Sequence, residues 1–131
     1  MPSRVHGHRV ACVADRSERD PYVGDDFYCD SAIPNAAEQD LVYDDEHVLA
    51  FHHTRPFWQT HIVVVPKRHI ASLTTVTKED AHLMRRLFAV VQGVAYDVEE
   101  RTGAAAVLTN LGRYQDSKHL HVHIHSGGLR T

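Results

Sequence analysis

The feature that most constrains this chain is a run in which histidine alternates with branched apolar residues, His119-Leu120-His121-Val122-His123-Ile124-His125. Successive side chains of an extended strand point to opposite faces, so one face of this segment is apolar and the other carries all four imidazoles. The apolar face predicts contact with a core. The imidazole face predicts chemistry, because histidine acts near neutral pH as acid, base, nucleophile or metal ligand. There are two alternatives: the histidines have no function on this strand, or they form a metal site.

Composition places this segment in an ordinary globular domain. The chain has 131 residues, of which 43% are hydrophobic and 24% charged, and this suits one domain with a proper core. The net charge of −3 gives no indication that nucleic acid or an acidic membrane is the main partner. No apolar run approaches the roughly 18 residues that a membrane span requires, and the apolar stretch near the N-terminus is too short for a signal peptide. We therefore expect a cytoplasmic protein.

The chain divides into a short arm and one domain. Residues 1–24 are rich in Arg, His, Asp and Ser and show no steady periodicity, so we interpret them as a flexible N-terminal arm. The remaining residues, 25–131, carry regular apolar patterns and form the predicted domain. There is no internal repeat and no low-complexity segment in this sequence.

Turn residues and periodicity predict an α+β domain. Apolar residues at three- and four-residue steps predict one long helix, from a capping box formed by Thr77 and Asp80 to about Arg101. The segments 34–40 and 54–60 are predicted to be loops. Strands are predicted in five segments, 41–43 and 47–51 in a hairpin, then 61–65, 105–109 and 119–125. Strands with one dominant helix between them favour a mostly antiparallel sheet.

Three stretches together resemble the histidine triad (HIT) family of nucleotide hydrolases. The segment Gln115-Asp116-Ser117-Lys118 before the alternating histidines is similar to the family signature. Upstream, Phe51-His52 and the strand that begins at His61 and leads into Pro66-Lys67-Arg68-His69 resemble its other landmark. The resemblance covers roughly residues 27–128. It implies the HIT-like fold, a mostly antiparallel five-stranded sheet with one long helix and a short helix.

The resemblance also implies hydrolysis through a covalent intermediate. His121 would attack the α-phosphorus of a nucleoside 5′-phosphate derivative, and water would then hydrolyse the nucleotidyl-histidine to a nucleoside monophosphate. The second ring nitrogen of such a nucleophile must donate to a fixed acceptor, which in the family is the backbone carbonyl of the residue equivalent to His119. His119, His123 and His61 would flank the phosphate as donors. A strand-edge histidine bonded to the backbone is the alternative for His61.

A second set of residues is expected to bind the nucleotide: Phe27, Tyr28, Phe51, His52, His53, Asn110, Gln115 and Ser117. Phe27 and Tyr28 lie in a segment that resembles the short helix beside the family's base pocket, although aromatic packing also explains them. Gln115 and the Asp116-Ser117 pair stand where relatives contact the α-phosphate and the leaving group, with the hydroxyl one place later than is usual. Asn110 is either a ribose or phosphate ligand or a turn residue.

His53 departs from the family pattern. Many relatives have at this place an acidic residue that accepts hydrogen bonds from the ribose hydroxyls. A carboxylate accepts two such bonds, whereas a neutral imidazole accepts one and an imidazolium none. We therefore expect a weaker hold on the ribose or a specialised nucleotide, unless Asp44 or Asp45 takes over the contact.

No metal ion or other cofactor is expected. Some HIT members carry a zinc site of two cysteines plus histidines, but here Asp26 stands three positions before Cys29. The expected partners are a nucleotide substrate and a second copy of the chain, since family members commonly form homodimers through the long helix and sheet edges. Neither nucleic acid nor a membrane is an expected partner.

Several other functions are compatible with the same residues. A phosphoramidate is the expected substrate, and a dinucleoside polyphosphate is the alternative. A nucleotide-binding interaction protein with vestigial activity belongs to a different class. A metal-dependent enzyme with His119, His121 and His123 as ligands is a further alternative, and it differs in being sensitive to a chelator.

Overall fold

The computed structural model describes residues 26–130, and its centre is a five-stranded antiparallel sheet. The arm expected at 1–24, with residues 25 and 131, lies outside the described residues. The strands are β1 (Leu41–Asp44), β2 (Val48–His52), β3 (Trp58–Pro66), β4 (Ala106–Leu108) and β5 (Val122–Leu129). The long helix is α2 (Ala81–Thr102), and α1 (Tyr28–Ala32) is a short π-helix. The described residues also contain four short 3-10 helices. The strand order is β1-β2-β3-β5-β4, with every neighbouring pair antiparallel. The predicted fold class is therefore confirmed, including its one long and one short helix.

Two strands, β3 and β5, differ most from the prediction. β3 begins at Trp58, because Trp58 pairs with Leu129 on β5, so the predicted loop at 54–60 is wrong in its last part. The strand predicted at 119–125 is displaced and runs from Val122 to Leu129. Its first residues leave the sheet because the N–H of Leu120 donates to the carbonyl of Ile70, at 2.6 Å, instead of to a neighbouring strand.

The sheet buries apolar side chains on both faces. On the α2 face, Ile62 and Val64 of β3 pack with Leu120 and Ile124 in one core. On the opposite face, residues of β2 and β3 pack against Tyr28 and the rest of α1 in a second core. This double burial explains the dense apolar run in β3, and it confirms that the apolar side of the histidine segment faces a core.

Both ends of α2 are fixed by local hydrogen bonds. The capping box predicted from Thr77 and Asp80 is present, and the buried Asp80 carboxylate also pairs with Arg68. At the other end, Gly103 adopts a left-handed conformation with φ of 90°, and its N–H donates to the carbonyl of Glu99 at 2.8 Å. Among the helices of residues 26–130, none has the length and apolar character needed to cross a membrane.

Candidate active site

The histidines of the alternating segment reach different surroundings. His121 and His123 line a cavity of about 320 Å³ on the side of the sheet opposite α2. His119 is fully buried behind this cavity. His125 lies outside the cavity lining and stacks on Trp58, with ring centroids 3.6 Å apart and planes at 8°. His125 is therefore separated from the cavity that His121 and His123 share.

The cavity joins an aromatic wall to a polar end. Its lining consists of Phe27, Tyr28, Phe51, His53, Thr54, Arg55, Asp116, Ser117, His121 and His123. Seven of these residues were predicted from the sequence to belong to the site. The wall is continuous because Tyr28 packs on Phe27 at 5.2 Å and near Phe51 at 6.2 Å between ring centroids. The loop before β5 is joined here to the start of α1, because the N–H of Phe27 donates to the Ser117 hydroxyl at 3.1 Å.

Other predicted site residues do not line the cavity. His52 is exposed at the end of β2, and Asn110 is half-buried in the loop after β4. The side-chain amide of Gln115 donates to the carbonyl of Ala71 at 2.7 Å, which anchors the loop before the histidines. In this geometry Gln115 therefore supports the site from outside.

His121 has the geometry of a nucleophile. Its Nδ1–H donates to the carbonyl oxygen of His119 at 2.6 Å, which leaves the lone pair on Nε2. The ring is only 3% exposed and lies 4.8 Å from the ring of Tyr28, which restricts its orientation. Burial lowers the pKa of His121, although the hydrogen bond to His119 opposes that shift. A neutral imidazole with one free lone pair is the form that can attack phosphorus.

A hydrogen-bond relay orients His123. The backbone N–H of Phe57 donates to Nδ1 of His61 at 3.1 Å, so His61 carries its hydrogen on Nε2. That Nε2–H donates to Nδ1 of His123 at 2.8 Å, which places the hydrogen of His123 on its own Nε2. Burial lowers the pKa of His61 to about 4 and that of His123 to about 3. His61 thus acts through His123, and His123 is the ring that can donate to a phosphoryl oxygen in the cavity.

His53 is fixed in a related way. Its Nδ1 accepts the backbone N–H of Arg55 at 2.9 Å, and its ring stacks on His61 with centroids 4.3 Å apart. Burial lowers the pKa of His53. A neutral ring in this state offers an Nε2–H donor and no second acceptor, so it cannot accept a ribose hydroxyl as a carboxylate would.

The ring of His119, which was expected to flank the phosphate, is buried and does not line the cavity. One ring nitrogen, Nε2, lies 2.8 Å from the carbonyl oxygen of Pro66, while Nδ1 lies 3.2 Å from Oδ2 of Asp26. Asp26 also accepts from His69 at 2.7 Å. Burial raises the pKa of Asp26, but the hydrogen bonds from His119 and His69 outweigh it and hold that pKa well below its usual range. This network holds the His119 backbone that positions His121.

Two groups of side chains could hold a cation. In each group of the described residues, the potential ligand atoms lie within 4.8 Å of one another: Asp26, Cys29, His69 and His119 in the first, and His53, His61 and His123 in the second. In the first group the side chains are bonded to one another, because Asp26 accepts hydrogen bonds from His69 and His119, and Nε2 of His119 donates to the carbonyl of Pro66.

Two lining residues, Thr54 and Arg55, and part of the network behind the cavity were not predicted from the sequence. Thr54 and Arg55 directly follow His53, so adjacency to a predicted residue was the available signal. Asp116 was named with Ser117 near the leaving group, although it was not counted among the expected nucleotide-binding residues. The pairing of Asp26 with His69 had no comparable signal, because 43 positions separate these residues in the chain.

Comparison with known proteins identifies the family of this chain. The model of the HIT domain family matches residues 35–128. An uncharacterized HIT-like protein of Chlamydia muridarum is 32% identical over 98 residues, covering 74% of this chain and 78% of the relative. A similar protein of Synechococcus elongatus is 35% identical over 89 residues, covering 67% and 78% of the two chains. The chain therefore belongs to the HIT family.

Solved structures show the same architecture. A histidine triad protein from Clostridium difficile superposes with a TM-score of 0.66 at 30% identity, covering 84% of this chain and 96% of the other. A HIT family hydrolase from Clostridium thermocellum superposes with a TM-score of 0.69 at 25% identity, covering 81% and 93%.

Proposed function

We propose that this protein is a nucleotidyl hydrolase that works through a covalent nucleotidyl-His121 intermediate. The observation that carries this proposal is the state of His121, whose Nδ1–H is committed to the His119 carbonyl while Nε2 keeps its lone pair beside an open cavity. The proposed substrate is a nucleoside 5′-phosphoramidate or a related derivative, and the product is a nucleoside monophosphate.

The cavity supplies surfaces for both parts of such a substrate. Phe27, Tyr28 and Phe51 form an aromatic wall suited to a nucleobase. Next to that wall lie the Nε2 atoms of His121 and His123, one with a lone pair for attack and the other with a hydrogen for a phosphoryl oxygen. A donor fixed before the reaction stabilises the charge that develops on the phosphoryl oxygens.

The reaction has two displacements. In the first, a bond forms between Nε2 of His121 and the α-phosphorus, and the bond from phosphorus to the leaving group breaks. An amine leaving group takes up a proton from solvent and departs. In the second, water attacks the same phosphorus, the bond to His121 breaks, and the water proton is lost to solvent. Two moderate barriers then replace one high barrier.

Relatives support a hydrolytic role. The structure from Clostridium thermocellum and one from Legionella pneumophila are each described as a HIT family hydrolase. A structure from Sulfolobus tokodaii is described as a hypothetical histidine triad nucleotide-binding protein. These descriptions agree with nucleotide hydrolysis.

The test is turnover of adenosine, guanosine and cytidine 5′-phosphoramidates by wild type and by His121→Ala. We expect the substitution to lower kcat by several orders of magnitude, because a catalytic unit loses nearly all of its effect when one essential member is removed. Mass spectrometry of acid-quenched wild-type enzyme should show one nucleotidyl group on the peptide that contains His121.

His125→Ala is the matched control, since His125 belongs to the same alternating segment but stacks on Trp58 outside the cavity lining. This variant should keep turnover close to the wild-type level. Dialysis against a chelator should also leave turnover intact, because attack by Nε2 of His121 requires no metal ligand. Equal losses in the two variants, or activity that vanishes with the chelator and returns with zinc, would contradict the proposal.

A further inference from the structure

Two charged side chains of opposite sign face the candidate active-site cavity. Asp116 and Arg55 both line it, from the loop before β5 and the loop after β2. Neither side chain forms a hydrogen bond or an ion pair with another residue in the described part of the chain. Both charges are therefore available to a ligand.

The neighbouring imidazoles do not add positive charge. His53 and His61 each accept a backbone N–H at Nδ1, and His61 in turn donates to Nδ1 of His123. A ring nitrogen that accepts a hydrogen bond carries no proton of its own, so all three rings are neutral in this arrangement. The charge balance of the cavity then depends on Asp116 and Arg55.

The field of Asp116 reaches across the cavity to the nucleophile. Burial lowers the pKa values of His53 and His121, and the charge of Asp116 opposes that shift at both residues. At Tyr28, on the aromatic wall, burial raises the pKa and Asp116 raises it further. A substrate phosphate beside His121 would therefore lie within the field of this carboxylate.

We infer that Asp116 selects substrates whose leaving group carries a positive charge near the α-phosphate, namely nucleoside 5′-phosphoramidates with an ammonium group on the amine portion. This inference rests on the proposed transfer to His121. The α-phosphate is an anion, so a carboxylate beside it is unfavourable unless a cation lies between them. A polyphosphate leaving group would add negative charge next to Asp116. The neutral histidines could not compensate for it, and among the described residues that line the cavity Arg55 is the one cation that would oppose this repulsion.

Three adenosine 5′-phosphoramidates of matched length test this selection. Their amine portions are 2-aminoethyl, propyl and 2-carboxyethyl, so only the terminal charge changes. We expect kcat/KM of the wild-type enzyme to fall in that order, with a preference for ammonium over carboxylate of roughly three- to tenfold, the size typical of exposed charge pairs. The preference should shrink as ionic strength rises, because salt screens exposed charges.

Substitutions assign the preference to one side chain. Asp116→Asn should bring the ratio of kcat/KM for the ammonium and carboxylate substrates close to one, and Asp116→Lys should invert it. Arg55→Gln, which removes the opposite charge from the same cavity, should increase the preference for ammonium. Asp97→Asn is the control, because Asp97 is a carboxylate paired with Arg101 on the exposed surface of α2. It should preserve the wild-type ratio.

The outcomes separate this inference from the proposed function. If none of the three substrates gives a nucleotidyl group on His121, the proposed function fails. If all three react through His121 with equal kcat/KM, the selection by charge is wrong and the proposed function stands. The same conclusion follows if Asp116→Asn keeps the wild-type ratio.

Discussion

The protonation of His121 fixes how the proposed reaction depends on pH. Attack requires the neutral ring, and burial lowers the pKa of His121 below that of ordinary histidine. A lowered pKa keeps the ring neutral at lower pH, so activity is lost only as pH falls through that lowered value. We expect the acid limb of the kcat/KM profile to have its midpoint below about 6.5, the ordinary histidine value. The measurement is turnover of a phosphoramidate from pH 4 to 8, corrected for uncatalysed hydrolysis.

The fall of kcat/KM at low pH must be distinguished from acid unfolding. The pKa values of His61 and His123 are lowered to about 4 and about 3, while their unfolded values are about 6.5. Below pH 6.5 the unfolded state therefore binds more protons, and the free energy of unfolding falls by up to about 1.4 kcal/mol per pH unit for each residue. Circular dichroism at each pH identifies the range in which the protein is folded. A midpoint at or above 6.5 in folded protein would contradict the prediction.

For single residues of the site, some properties could be predicted from the sequence and others could not. The alternation predicted that His121 and His123 share a face, because strand geometry dictates it. The tautomers of His61 and His53 were not predictable. They depend on the N–H groups of Phe57 and Arg55, which lie in a loop whose conformation is set by tertiary packing. The surroundings of the His119 ring were not predictable either, because its partner Asp26 lies far away in the sequence.

At the scale of elements, β5 contains a bulge that depends on glycine. Trp58 pairs with Leu129 and Thr60 with Ser126, so Gly127 and Gly128 lie opposite the single residue Gln59. Gly127 has φ of 85°, and a Cβ added there would lie 2.9 Å from the Cβ of Gln59. We expect Gly127→Ala to lower the free energy of unfolding by about 1–3 kcal/mol. Urea denaturation followed by circular dichroism measures this change.

Gly128→Ala is the matched control in the same bulge. A Cβ added at Gly128 meets no atom within 4 Å, and its φ is outside the left-handed region. This substitution should change stability by less than about 0.5 kcal/mol. Equal effects of the two substitutions would show that the bulge does not depend on the left-handed conformation of Gly127.

The sequence predicted the kinds of elements better than their boundaries. The helix α2 was predicted nearly in full, because its apolar periodicity and both end signals are local. The start of β3 and the displacement of β5 were missed, because strands end where their partners end. Trp58 extends β3 by pairing with Leu129, and only the three-dimensional register reveals this pair.

At the scale of the whole molecule, one edge of the sheet has an apolar surface that is exposed in the part of the chain that the structure describes. β4 is an edge strand, and a groove beside it is lined by residues of α2 and β4. Phe88, Tyr96 and Val107 in this groove are 66%, 64% and 50% exposed. The groove at the opposite edge is lined by three charged residues, Asp45, Arg86 and Asp97, whereas the β4 groove is lined by one among residues 26–130, Glu99. We propose that the β4 edge and α2 form a symmetric interface with a second copy of the chain.

Sedimentation equilibrium at micromolar concentration tests this interface. The wild-type chain should sediment at about twice 14.8 kDa. Val107→Lys should shift the protein towards the monomer, because a lysine on an edge strand opposes pairing between sheets. Val42→Lys is the control on the other edge strand, where Val42 is 39% exposed, and it should remain dimeric. A monomeric wild type, or a dimer disrupted only by the control substitution, would refute the proposed interface.

The strand order also determines when the site can be completed during synthesis. β5 leaves the ribosome after the other four strands, yet its place in the sheet is between β3 and β4. Among the strands of residues 26–130, β4 pairs with β5 alone, so none of the other described strands is its partner before β5 is made. Leu120 and Ile124, which complete the core beneath α2, are translated together with His121 and His123. A nascent chain therefore acquires its final core residues and its nucleophile in the same few steps of translation.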